Sequence, residues 1–455
     1  MIKRTLIIVA IVVAAVAVFV LGCALYGDIP DVELPNQIEV TIADAENAYG
    51  GYQAAGANID YSHSIGEYRL IESFVALESW DQEEVDRLLL GHDADFEAMD
   101  RANTRAVCYG PVPESFFEAR PDPEPFIRLM RLRRLRAVNH ALADDDRAVQ
   151  DIRALLVYSK KYESGATSLT QFLVGRILSV SCYELINTLL MKELLDHAEL
   201  LDLSSALEEA DPGRSGYRRA IVLDAQRTLA FVDEFKEGLL KRDCPDCDKA
   251  IEFFSLGTPS LIDSPDWYKN YLLMPNRTKR RILKQQDHLL ELVDNPAVCW
   301  EYSTQKPSEL ARKLHPLNTT LMPNGVGAAI SGAATGSQLK SHVGMCQSVL
   351  KCEVLYRVLR LKIAARLYLL DRGMRIDSLD DLVPEYLPAV PADPFGESSI
   401  RFTPETGMVH SVGYDCIDSD AKVAEAEIDA ANFNLNPSSQ PRDFVFQLHS
   451  GDGDE

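Results

Sequence analysis

The stretch FIRLMRLRRLRAVNHALADDDRAVQDIRALLV, residues 126–157, decides the fold. Leu129, Leu132, Leu135, Val138 and Leu142 recur at steps of three and four, the period that lines one face of an α-helix with apolar side chains. Asp144, Asp145 and Asp146 follow as a short acidic loop of capping carboxylates, and a second amphipathic run continues through Val157. Helix, polar loop and helix together specify a helical hairpin. Downstream, Ser168 to Met191 carries charge only at Arg176 and Glu184, so a helix buried on most sides is expected there. No period of about 34 residues repeats, so the hairpins do not form a tetratricopeptide array.

The same patterning extends in both directions. Ala43–Ala55 reads as an early helix and Leu70–Ala102 as two more, with breaks at Gly110-Pro111-Val112-Pro113 and across 120–125. Further helices are interrupted at Asp211-Pro212-Gly213, around Cys244 and over 258–265. The glycine-rich stretch 324–341 lacks the Gly-Lys-Ser/Thr ending of a phosphate loop and reads as a loop entering a helix. That last helix spans Leu339–Leu370, with Leu350, Val354, Leu355, Val358, Leu361, Ala365 and Tyr368 along one face. The fold class is therefore mainly α. A membrane helix occupies 1–27, a helical-hairpin domain 28–338, and a long helix with a small α+β module and an acidic flexible tail 339–455.

Charge and hydropathy set the expected address. Residues Thr5 to Gly27 are uncharged and overwhelmingly apolar, and ~20 such residues at ~1.5 Å each cross a hydrocarbon core of ~30 Å. Lys3 and Arg4 precede the span and Asp28, Asp31 and Glu33 follow it, which puts the bulk of the chain on the extracytoplasmic side of the cell membrane, single-pass. Two forms of export fit: a retained signal anchor, or a lipoprotein signal in which Val20-Leu21-Gly22-Cys23 serves as the lipobox and Cys23 is acylated. The net charge of −23 argues against nonspecific binding to DNA, RNA or anionic lipid, because a negative surface is repelled by phosphate.

Candidate chemistry is sparse. Cys244-Pro245-Asp246-Cys247 is the chain's CxxC; no second pair supports zinc, and Asp243, Asp246 and Asp248 disfavour a thiolate, which leaves a local Cys244–Cys247 disulfide or an inert loop. Gly91-His92-Asp93-Ala94-Asp95 sets histidine beside two acids and reads as a capping loop. Arg128, Arg131, Arg133, Arg134 and Arg136 form the basic cluster, with Asp122, Glu124 and Asp144–Asp146 as the expected partners and an acidic partner or lipid head groups as the alternative. Neither HExxH nor GxSxG occurs.

After the long helix comes DDLVPEYLPAVPADPF, 380–395, where Pro384, Pro388, Pro391 and Pro394 forbid helix. Leu382, Val383, Tyr386, Leu387 and Val390 are expected to pack back on the helix before them. Asp393-Pro394-Phe395-Gly396 then turns the chain into two short strands, Ser399–Phe402 and Met408–Val412. Through Leu379, Leu382, Val383, Pro384, Tyr386, Leu387, Pro391, Asp393, Pro394, Phe395, Gly396, Phe402, Ser411, Gly413 and Asp415, residues 350–420 resemble the C-terminal part of type II secretion major pseudopilins. The arrangement is also similar to large uncharacterised envelope proteins of planctomycete-like bacteria. The pseudopilin processing site, Gly-Phe-Thr-Leu-x-Glu, is missing from residues 1–27, so a filament subunit is not implied. The resemblance implies a calcium-binding loop after the Ser-x-Gly-x-Asp strand, for which Asp415, Asp418 and Asp420 supply hard oxygen ligands; Cys416 stands where the family has glycine. A solvated acidic turn is the alternative.

The expected function is a membrane-tethered extracytoplasmic scaffold that binds another protein. Two others stay open: an accessory component of a type II secretion or pilus-like system, and an extracytoplasmic enzyme whose site is assembled from distant residues.

Overall fold

The computed structural model describes residues 43–59, 65–112, 121–241, 266–295, 336–396, 398–413 and 444–448, with the single positions Asp28, Pro30, Asp31, Asn324, Val326, Gly327 and Ile330. It is mainly helical. A 3-10 turn at Asp44–Glu46 leads into α1 (Tyr49–Ala57), so the early helix starts later than its sequence pattern suggests. Where two helices are expected up to Ala102, three form: α2 (Ile65–Val75), α3 (Gln82–Leu89) and α4 (Asp93–Asn103). The extra break has local causes. Leu77 takes φ 55° and Gly91 φ 85°, both outside helical geometry, and the Asp81 side chain caps α3 by accepting from the Glu84 N–H.

The hairpin is formed by α5 (Glu124–Leu142) and α6 (Arg147–Ser164). Pro125 falls in the first turn of α5, where a missing N–H costs nothing, so the proline-rich break ends one residue before it. Next comes α7 (Leu169–Met191), capped by Ser168, whose hydroxyl accepts from the Gln171 N–H. Among the described residues α7 is the one helix long and apolar enough to cross a bilayer. Its environment is protein: 67% of its apolar window is buried, and it packs on α6. Helices α8 (His197–Glu209), α9 (Ser215–Lys241), α10 (Asp266–Leu272) and α11 (Pro275–Asp294) follow, with α11 laid along α9.

The last helix, α12 (Gly336–Arg372), runs 37 residues and packs against α7 and α8. Its buried side chains, Leu350, Val354, Leu355, Val358, Leu361 and Ala365, belong to the same apolar cluster as Leu129, Leu135, Ile152 and Leu185 of the hairpin region. Leu382, Leu387, Phe395, Val409 and Phe446 of the terminal module join that cluster. One core therefore spans body and module through α12. The sheet is antiparallel, ordered β1 (Arg401–Thr403), β2 (Met408–Ser411), β3 (Phe444–Gln447), with Phe402 opposite Val409 and Val409 opposite Phe446. The third strand lies in the part of the chain read from sequence as acidic tail; its signal is the apolar run Phe444-Val445-Phe446.

Candidate functional site

The proline run behaves as its chemistry requires. Ser378 and Asp381 form a reciprocal capping box over a 3-10 turn at Leu379–Leu382, and Leu382 and Leu387 are buried. Tyr386 sets its ring 5.8 Å from that of Tyr368 on α12 and donates its hydroxyl to Asp371 at 2.8 Å. Asp393 is the pivot of the module. Its buried carboxylate accepts from the Phe395 N–H at 2.9 Å, the Ser411 hydroxyl at 2.8 Å and the Val412 N–H at 2.8 Å. Three donors on one carboxylate tie the Asp-Pro-Phe-Gly turn to the end of β2, and Gly413 leaves that strand at φ 68°. The acidic loop begins just beyond. Asp415, Asp418 and Asp420 lie outside the described residues, as do Cys23, Cys244 and Cys247. Among the described residues no three His, Cys, Asp or Glu side chains are gathered as a metal site.

The arginines of α5 meet carboxylates, but mostly not the ones nearest in sequence. Arg128 reaches Glu124 at 3.4 Å, and Arg131 lies 3.6 Å from Glu72 with its guanidinium 4.1 Å from the Tyr68 ring centroid. Arg133 bridges Asp100 at 2.6 Å and Asp151 at 3.0 Å. Arg134 pairs with Glu72 at 3.1 Å and lies 3.7 Å from Glu184. Arg136 meets Asp151 at 2.5 Å and stacks 4.0 Å from the centre of Phe96. Of the partners expected from sequence, Glu124 serves, while Asp145 pairs with Arg147 and Asp122 accepts from the Glu124 N–H. The reason is geometric: a loop carboxylate cannot follow arginines that point sideways into neighbouring helices. Burial opposes the charge on Asp151, but His140, Arg136 and Arg133 more than offset it and hold its carboxyl below the usual range.

A second buried charge centre lies between α6 and α7. Glu163 and Arg176, 3% and 1% exposed, form an ion pair at 2.8 Å. The Ser179 hydroxyl donates to Glu163 at 3.1 Å. Burial pushes the Glu163 carboxyl up to about 7 despite Arg176 and Ser179. Cys352 and Tyr183, both buried, complete its surroundings. Nearby, Arg214 grips Glu353 with two bonds of 2.6 and 2.8 Å, joining α9 to α12. No sequence motif marked these residues, because their partners are separated by 139 positions in one case.

A small cleft opens beside α1 and the start of α7, lined by Tyr49, Pro111, Pro121, Pro123, Tyr162 and Gln171. Its floor amide is already committed: the Gln171 carbonyl accepts from Thr167, and its amide donates to the Tyr162 carbonyl. His92 occupies the N-cap position of α4, but no side chain caps the helix there, unlike the expectation from sequence; instead His92 sits 3.0 Å from Asp95, which also accepts from Asn58 at 3.1 Å and so holds α1 to α4.

No protein family, curated protein or solved structure matches the chain. Chemistry must be read from the residues alone. Cys108, Cys182, Cys346 and Cys352 are buried, and none of them is in a disulfide. Burial raises the Cys108 thiol strongly, that of Cys182 to about 12 and that of Cys352 to about 11, so these sulfurs are poor nucleophiles. One feature escaped the sequence reading: a second basic run, Arg277, Lys279, Arg280, Arg281 and Lys284, on α11.

Proposed function

We propose that the protein is a membrane-tethered extracytoplasmic scaffold that holds another protein through its C-terminal module. The observation that carries this reading is α12, a single helix of 37 residues that contributes to the core of the helical body and also receives the Asp393-latched sheet. Such a helix acts as a rigid bracket, fixing the module relative to the body. Among the described residues Arg133, Arg134, Asp151, Glu163, Arg176 and Glu353 are buried and held in internal ion pairs, which stiffen the body that carries the module. The apolar segment Thr5–Gly27 supplies the tether, either as a signal anchor or through acylation of Cys23.

Photo-crosslinkers placed at Arg401 and Glu405, on the exposed strand and turn of the module, test the reading in intact membranes. A discrete protein adduct is expected, and Asp393→Ala is expected to abolish it by loosening the module. No adduct from either position in a folded, membrane-bound protein would overturn the scaffold role.

A second reading has its own support. A long helix, then the Pro-x-Asp-Pro-Phe-Gly turn clamped to the end of β2, follows the order of helix, proline-rich turn and short strands on which the resemblance to major pseudopilins rests. On this reading the protein is an accessory of a type II secretion or pilus-like system, and its adduct would be a pseudopilin. Calcium held by Asp415, Asp418 and Asp420 belongs to the same proposal. Calorimetric calcium binding that disappears in Asp418→Ala is expected; no heat in the native protein would remove the ion.

A further inference from the structure

We infer that the basic face of α11 rests on anionic phospholipid head groups beside the point where the chain leaves the membrane. The inference deepens the tether reading and rests on it. Arg277, Arg280, Arg281 and Lys284 stand at i, i+3, i+4 and i+7 and so share one face of the helix. Thr278, Ile282, Gln286, Leu289 and Val293 are buried on the other side, where Lys279 is spent on Asp233 at 2.6 Å. Arg280, Arg281 and Lys284 are exposed. Among the described residues none of the three meets a carboxylate, although the chain carries a net charge of −23. Three exposed cations that meet no carboxylate among the described residues leave a local positive patch on a chain that is acidic overall, and such a patch is complementary to an anionic surface.

The start of α11 supplies the position. Asp28, the first residue after the apolar segment, accepts from the Asn276 N–H at 2.9 Å and the Arg277 N–H at 3.1 Å. Asp31 accepts from the Asn276 side chain at 3.2 Å. The residue that leaves the bilayer is thus bonded directly to the helix carrying the patch. Arg280 to Lys284 follow Asn276 by ~6–12 Å along the axis, comparable with the ~8–10 Å over which a charged surface is felt in physiological salt. The carboxylate of Asp28 does not cancel the patch, since the helix N-terminus and nearby Lys236 already face it. The acids of α11 lie toward its far end: Asp287 is exposed, Glu291 lies beside His288, and Asp294 pairs with Arg218. Positive charge therefore faces the membrane end of the helix and negative charge the distal end.

Full-length protein in lipid nanodiscs tests this by mass-spectrometric acetylation of Lys284, with exposed Lys192 in the turn after α7 as internal reference. With about 30% phosphatidylglycerol, Lys284 is expected to react about fivefold more slowly than in pure phosphatidylcholine, and about 0.5 M salt should erase the difference. Arg280→Gln with Arg281→Gln should bring the two rates together while leaving melting and membrane attachment unchanged. Equal rates for the native chain in both lipids, with the protein still resistant to alkaline extraction, would overturn the lipid contact and leave the tether standing. Protection in native membranes but not in anionic nanodiscs would overturn it in favour of a protein partner. Release of the whole chain by alkaline carbonate would sink the tether and the contact together.

Discussion

Glu163 and Arg176 meet in the contact between α6 and α7, out of reach of water. Removing one partner leaves the other's charge buried, so Glu163→Ala is expected to cost ~3–5 kcal/mol at about pH 8 by chemical denaturation. Glu163→Leu combined with Arg176→Met should recover most of that loss, because an apolar pair needs no compensation. The pair also predicts a pH dependence. A free glutamate titrates near about 4.3, whereas Glu163 holds its proton up to about 7 in the fold. Between those values the folded chain binds more protons than the unfolded one. The stability this group contributes is complete below about pH 4 and is lost as the pH rises through about 7. Relative to Glu163→Gln, the melting temperature of the native protein should therefore fall across that window. The four buried thiols should escape alkylation in the native protein and react on denaturation, as peptide mass mapping would register.

Elements meet here through close approaches and latches. A Cβ on Gly175 of α7 would lie 2.6 Å from the Glu163 Cα, so the two helices touch backbone to backbone. Gly175→Ala is expected to cost ~1–3 kcal/mol by forcing them apart. Asp393 performs the corresponding task for the sheet: in Asp393→Ala the Ser411 hydroxyl and the Val412 and Phe395 N–H groups lose their acceptor. An unmet buried donor costs ~1–3 kcal/mol, so hydrogen exchange over Val409–Val412 should accelerate by at least about tenfold while α5 and α6 stay protected. Both devices were only half visible in sequence. The Asp-Pro-Phe-Gly turn was legible because proline and glycine constrain backbone locally, but the donors that Asp393 collects come from residues 18 and 19 positions away.

For the whole molecule, the continuous core through α12 has a thermodynamic consequence. Leu382 is fully buried in the cluster that also holds Leu135 and Ile152. Leu382→Ala, expected to cost ~2–5 kcal/mol, should lower one shared melting transition followed by calorimetry. A separate, earlier transition for the module would show that α12 does not couple the two. By itself the sequence determined the helical class, the hairpin at 126–157, the buried character of α7 and the turn at 393–396, because periodicity, proline and glycine act over a few residues. It left open which carboxylates satisfy the α5 arginines, the pairing of Glu163 with Arg176, the entry of Phe444–Gln447 into the sheet and the seating of Asp28 on α11. Those depend on contacts between distant segments, which only the packed chain brings within bonding range.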